Sequence, residues 1–86
     1  MSKILVGEVV HFFSKVNAAA LKLSGDLKVG DRISIEHKDG AVVLEQTVES
    51  MQIEHDAVQS ANAGQDVAIG IDGKVHTGNL VYKIEV

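Results

Sequence analysis

The residues able to do chemistry in this chain are its histidines, its carboxylates, one glycine–aspartate step and a scatter of basic side chains. The four histidines are His11, His37, His55 and His76. None stands at the helical or alternate-residue spacing that would aim two imidazoles at one metal, and H-E-x-x-H is missing. Glu45, Glu49 and Glu54 fall along one strand-like stretch. A working acid–base pair needs a carboxyl whose pKa an apolar pocket has raised, and their spacing makes them ordinary outward residues. Gly30-Asp31 is the sharpest step. Asp31 reads either as a ligand contact or as a clasp that hydrogen-bonds nearby backbone amides around the turn. Among the basic residues, Lys22, Lys28 and Arg32 are the candidates for partner or RNA contact, with Lys15 and Lys38 beside them in sequence. The other reading of these lysines is an ordinary solvated surface.

Established catalytic motifs are missing. There is no G-x-x-x-x-G-K-[ST] loop to cradle a nucleoside triphosphate, and no G-x-S-x-G. Gly70-Ile71-Asp72-Gly73 is a turn and lacks the dinucleotide fingerprint. With no cysteine, disulfides, thiolate nucleophiles and zinc–thiolate sites are excluded. The expectation is a non-enzyme with no catalytic, cofactor-binding or metal-binding residues and no cofactor.

Short strands and tight turns must position these side chains. Ile4 to Phe13 is β-rich, with Gly7 marking a bend or a close backbone approach. Ser14 to Asn17 turns the chain. Ala18 to Leu23 puts Ala19, Leu21 and Leu23 on one face and Lys22 on the other, although its alanines would also suit a short helix. Arg32 to His37 alternates Ile33 and Ile35 inward with Arg32, Ser34 and Glu36 outward. Asp39-Gly40 is a hairpin signal in which both residues tolerate positive φ. The strand beyond it reads as the longest. Its apolar parity changes between Val42, Leu44 and Val48 and then Met51 and Ile53, which predicts a bulge or sharp coil between Val48 and Met51. Glu54 to Gly64 is polar, with room for one helical turn around Asp56 to Ser60. Val67, Ile69 and Ile71 alternate again, turns follow at Asp72-Gly73 and Thr77-Gly78-Asn79, and Leu80, Tyr82, Ile84 and Val86 form the closing strand. About six strands in one domain, residues 1–86, imply an all-β fold, a small closed antiparallel β-barrel.

Composition narrows the partners. Residues 1–40 carry six basic against five acidic side chains, and residues 41–86 carry two against seven. The net charge of −4 disfavours general affinity for nucleic acid, DNA included, and favours a protein partner. Phe12, Phe13 and Tyr82 are the only aromatic residues, too few for a stacking platform along a single strand of nucleic acid. No stretch has the length of a membrane span, and Glu8 and His11 interrupt the opening apolar residues, so a soluble, cytoplasmic protein is expected.

Four segments carry a family resemblance. They are Val6-Gly7-Glu8-Val9-Val10, Leu27-Lys28-Val29-Gly30-Asp31-Arg32-Ile33, Val48-Glu49-Ser50-Met51-Gln52-Ile53 and Ala61-Asn62-Ala63-Gly64-Gln65-Asp66-Val67-Ala68-Ile69, with Gly78-Asn79-Leu80-Val81-Tyr82 as a coda. In order and spacing the set resembles the β-barrel second domain of translational GTPases such as elongation factor Tu. The resemblance implies a free-standing translation-protein barrel without the GTP-binding domain, a non-catalytic module that engages a protein or ribonucleoprotein partner in translation. A ribosome or other RNA is the weaker version of that partner. A similar barrel is appended to collagenase-like bacterial peptidases, which gives the alternative of an accessory domain for a separately encoded enzyme. An incompletely closed barrel would also leave an edge for pairing with a second copy, a homo-oligomer.

Overall fold

In a computed structural model that describes residues 2–85, the chain folds entirely into β-strands and turns. The strands run β1 (Ser2–Phe13), β2 (Ala18–Leu23), β3 (Leu27–Lys28), β4 (Arg32–Glu36), β5 (Val42–Thr47), β6 (Met51–Ile53), β7 (Asp56–Ala57), β8 (Ser60–Ala61), β9 (Asp66–Gly70) and β10 (Leu80–Glu85). Six of them have five residues or more, as the sequence suggests, and the other four are short clasps. β1 is the longest strand at 12 residues; β5, expected to be, has six. Val86, read above as part of the closing strand, lies outside the described residues.

Alternating aliphatic residues supply the core. Val6, Val9, Ala19, Leu21, Ile33, Ile35, Val48, Ile69, Val75 and Val81 are each at most 1% exposed. Burying each side chain of Val or Ile size contributes roughly 1.5–3 kcal/mol before chain entropy is subtracted. β1 serves two partners at once because it bends. Its register slips between Leu5 and Gly7 against β10, and between Val9 and His11 against β2. Gly7 permits the first bend, since a Cβ there would lie 3.0 Å from the Lys22 carbonyl oxygen. The expected close approach at Gly7 is therefore real.

Three turns of one design dock the strands. Each runs over four residues with glycine third: Lys28–Asp31, Asn62–Gln65 and His76–Asn79. Gly30, Gly64 and Gly78 have φ of 99°, 92° and 95°, a region closed to most side chains. The fourth residue's N–H donates to the first residue's carbonyl at 3.1, 3.2 and 3.0 Å. Its side-chain oxygen, on Asp31, Gln65 or Asn79, accepts from the first residue's N–H at 3.0, 2.7 and 2.9 Å. The glycine N–H then donates to Val48, Leu23 or Val9, whose own N–H donates back to the carbonyl of Asp31, Gln65 or Asn79. Of the two readings of Asp31, the clasp is the one its hydrogen bonds describe.

The main sheet is open. Its order is β5-β4-β10-β1-β2-β9-β6-β7, with β3 and β8 as a separate pair, so the expected closed barrel is corrected to two antiparallel sheets. The ladder fails to close because Val48 to Ser50 leaves strand geometry, and β6 beyond it pairs with β9 over only two positions. The coil predicted there is present. A side chain spans the gap instead. The Gln46 amide donates to the Gly70 carbonyl at 2.8 Å and accepts from the Asp72 N–H at 2.8 Å, with Gln46 3% exposed.

Other expectations change as well. Ala18 to Leu23 is strand, and no helix forms among the described residues. The turn of helix placed around Asp56 to Ser60 is replaced by β7 and β8, because Glu54 and His55, at φ 51° and 71°, fold the chain straight back. The amides there serve ladders, with Val58 N–H donating to Met51 and Val29 N–H to Gln59. At Asp39-Gly40 only Gly40 is left-handed, and Asp39 instead accepts from the Ala41 N–H at 2.9 Å. Ser34 and Glu36, assigned outward, are buried at 1% and 3%, while Val42, assigned inward, is 55% exposed on an end strand. In β10 the deeply buried residue is Val81, between Leu80 and Tyr82.

Two outcomes follow for stability. Gly30→Ala should lose about 1–2 kcal/mol although nothing lies within 4 Å of the added methyl, because the penalty is conformational. Gln46→Leu should cost about 1–3 kcal/mol by leaving the half-buried Gly70 carbonyl and the Asp72 N–H without their partner. Urea unfolding followed by circular dichroism reads both. An unchanged midpoint for either variant contradicts the role given to that residue.

Candidate interaction surface

Of the three basic residues singled out in the sequence, Lys28 and Arg32 flank one turn and Lys22 lies on another strand. Lys22 sits on the exposed face of β2, opposite Glu8 of β1 and Asp66 of β9. Its Nζ lies 3.9 Å from Asp66 Oδ1, with the two side chains 61% and 74% exposed, a contact that water screens almost fully. Lys28, in β3, borders a concavity with Asp26, Asp31 and Lys83. Arg32 opens β4, where its Nη1 donates to Thr47 Oγ1 at 3.5 Å. Lys22 and Lys28 line different concavities and each has carboxylates beside it, so they make no continuous basic strip. Among the described residues, no three His, Asp or Glu side chains gather closely enough to hold a metal ion. Glu45, Glu49 and Glu54 are exposed, as their spacing implies.

Sequence reasoning missed a buried charge on the outer side of β4. Glu36 accepts from Lys3 Nζ at 2.7 Å and from Ser34 Oγ at 2.8 Å. The Lys3 ammonium also lies 5.0 Å from the centre of the Tyr82 ring. Glu36 comes from β4, Tyr82 from β10 and Lys3 from β1, three neighbours in the sheet. The hydrogen bond from Lys3, with the second from Ser34, holds the Glu36 carboxyl below the usual 4.5, against the opposing effect of burial. The same hydrogen bond raises Lys3 above 10.5. A carboxyl held ionised in this way is a poor general acid, which requires the opposite shift. The signal for it lay in cross-strand register rather than parity, since Ser34 pairs with Tyr82 and the length of β1 carries Lys3 alongside.

The outer side of β1 forms a largely apolar concave surface. Leu5, Gly7, Glu8, Val10, Lys22, Ser24 and Leu80 line an open groove of about 350 Å³. Leu5 and Val10 are 45% and 46% exposed. Gly7 and Ser24 add little bulk, while Glu8 and Lys22 are a register pair across the strands. Such a surface offers shape and apolar area with one charge of each sign, which suits binding rather than bond-breaking.

No protein-family profile matches the chain. Similar proteins are proteases. An uncharacterized protease of Methanocaldococcus jannaschii is 41% identical over 83 residues, which are 96% of this chain and 20% of that protein. A collagenase of Porphyromonas gingivalis is 32% identical over 84 residues, again 96% of this chain and 20% of its own length. The chain thus spans about a fifth of the curated relatives it matches. Among solved structures, the C-terminal domain of a protein described as a U32 peptidase from Geobacillus thermoleovorans superposes with a TM-score of 0.85 at 15% identity, covering 95% of this chain and 93% of that one. A selenomethionine variant of the same domain gives 0.81. These likenesses overturn the resemblance to the second domain of translational GTPases, and with it the elongation-factor-like reading. The segments that carried it are mostly the glycine turns and the strands they dock, which the topology itself requires. No helix in the described residues is long and apolar enough to cross a membrane.

The Glu36 pair has a pH signature. A depressed carboxyl pKa adds stability that is present above the unfolded value near 4.5 and lost as pH falls through the folded one. The raised Lys3 pKa adds stability present below 10.5 and lost as pH rises through its folded value. Unfolding free energy should therefore drop on the acid side, and Glu36→Gln should flatten that drop. Denaturant titrations across pH check this, and equally steep acid limbs in both proteins contradict it.

Proposed function

We propose that this chain is a non-catalytic accessory module of collagenase-like peptidases, working through a protein partner. The observation that carries the reading is the pattern of likeness. Relatives named as proteases match 96% of this chain while 20% of their own length is involved. The other four-fifths has room for a catalytic centre, and nothing in the residues described here assembles one. The solved neighbour is described as a C-terminal domain, which suits an appended position. The rolled main sheet acts as a barrel-like body whose seam Gln46 bridges, a rigid support for surface contacts. Protein is favoured over RNA as partner because Lys22 and Lys28 line different concavities and each has carboxylates beside it. An RNA contact through them would show affinity falling steeply with salt.

The test compares the collagenase-type relative with a form lacking the matching segment, on gelatin and on a short peptide. The chain alone should cleave neither. Loss of the segment should lower gelatin turnover about tenfold, or 1.4 kcal/mol of transition-state stabilisation, and leave the short peptide largely unaffected. Hydrolysis by the isolated chain, or unchanged gelatin turnover without the segment, overturns the reading.

A further inference from the structure

We infer that the groove on the outer side of β1 is the surface by which this module packs against the body of a collagenase-like peptidase, an inference that rests on the accessory role proposed above. Three observations converge on that occupant. The first is apolar exposure: Leu5 and Val10 are each at least 45% exposed and share one open groove with Leu80, whereas Ile4 alternates to the other face. A rigid sheet gains little by leaving such side chains in water unless something covers them.

The second is where the chain ends lie. Ser2 pairs with Glu85 and Lys3 with Ile84, so both ends of the described chain leave from the same ribbon. The groove begins at Leu5, three residues along that ribbon. Any polypeptide joined at either end is delivered beside the groove at high effective concentration, and a modest apolar contact then suffices to hold it. The third is size. The matched relatives are about five times as long as the segment they share with this chain, so the body joined there is large enough to cover the groove. Contacts between domains of one chain are typically about 600–1,500 Å², mixed in polarity. The groove's apolar walls and its single Glu8–Lys22 pair are of that type.

The remaining exposed apolar residues fit this occupant less well. Phe13 and Val16 stand at the opposite end of β1, around the hairpin that leads to β2. Val42 is on the end strand β5.

Thiol labelling tests the inference, since the chain has no cysteine of its own. Leu5→Cys, Val10→Cys and, as a control, Val16→Cys are made singly. Each is made in the isolated chain and in the Methanocaldococcus jannaschii protease carrying this chain in place of its matching 83 residues. Labelling is followed by mass spectrometry of the peptide concerned. Leu5→Cys and Val10→Cys should react at least about tenfold more slowly in the long polypeptide, corresponding to about 1.4 kcal/mol of contact, while Val16→Cys reacts equally in both. Equal rates for Leu5→Cys and Val10→Cys in the two settings overturn the inference, as does equal slowing of all three. Labelling needs no enzymatic activity. A covered groove with unchanged gelatin turnover would therefore sink the accessory role and leave the contact standing.

Discussion

The arrangement depends on one repeated contact, a glycine turn that grips a single residue elsewhere in the chain, in a strand or directly after one. In each of the three turns the glycine N–H and the following carbonyl bind the same partner, Val48, Leu23 or Val9. Those partners are 1%, 2% and 0% exposed, so the grip is made at the edge of the core. The residue directly after each turn opens a strand: Arg32 begins β4, Asp66 begins β9 and Leu80 begins β10. Three of the six long strands are thus launched from a fixed point with a fixed direction. The clamping side chain differs, being Asp, Gln and Asn, but the chemistry is one oxygen accepting one orphan amide. Such local closure lowers the entropy cost of the long-range pairings that dominate a sheet of this kind.

Where backbone pairing fails, side chains complete it. Gln46 stands in for a missing ladder by offering one donor and one acceptor to Gly70 and Asp72, as an adjacent strand would. Glu36 is buried without being orphaned, because Ser34 and Lys3 both donate to it. Among the described residues no buried side-chain nitrogen or oxygen lacks a partner. A fold with so few large side chains has little margin for unsatisfied polar groups, each of which costs about 1–3 kcal/mol. The same arrangement limits chemistry. Gln46 and Glu36 are both fully engaged in holding the sheet, and neither is free to move a proton.

Legibility in the sequence followed the range of the interactions. Turns, alternation and the break after Val48 are local, so Gly30-Asp31, Gly64, Ala19-Leu21-Leu23 and Ile33-Ile35 could all be read directly. Burial of Ser34 and Glu36 depends on Lys3, which is 33 residues away from Glu36, and parity carries no trace of that. The open seam depends on Gln46 reaching 24 residues to Gly70, so alternation alone suggested closure where the ladder stops. The resemblance to a translation-factor barrel arose from the same cause. Its motifs are the local clamps of the topology, and local clamps cannot tell one protein that uses the topology from another. For the candidate surface, the sequence named charges, whereas the structure shows the exposed apolar side of β1. Bulges at Leu5/Gly7 and Val9/His11 decide which residues face out, and strict alternation cannot follow two slips in one strand.

The packing also determines where binding can occur. The interior is filled by small aliphatic side chains, and the concavities described are open surface features rather than enclosed chambers. Contact through strand edges has little to work with. β7 is two residues long, and β5 turns Gln46 toward Gly70 while Leu44 lies against Gly73. Faces remain, and of these the outer side of β1 combines exposed apolar walls with nearness to both chain ends. β1 is paired with β10 along its first half and with β2 along its second, and is bent over Gly7 by close backbone contact. A docking surface on a strand already held by two neighbours gives up little conformational entropy on association, which is the physical reason for placing it there.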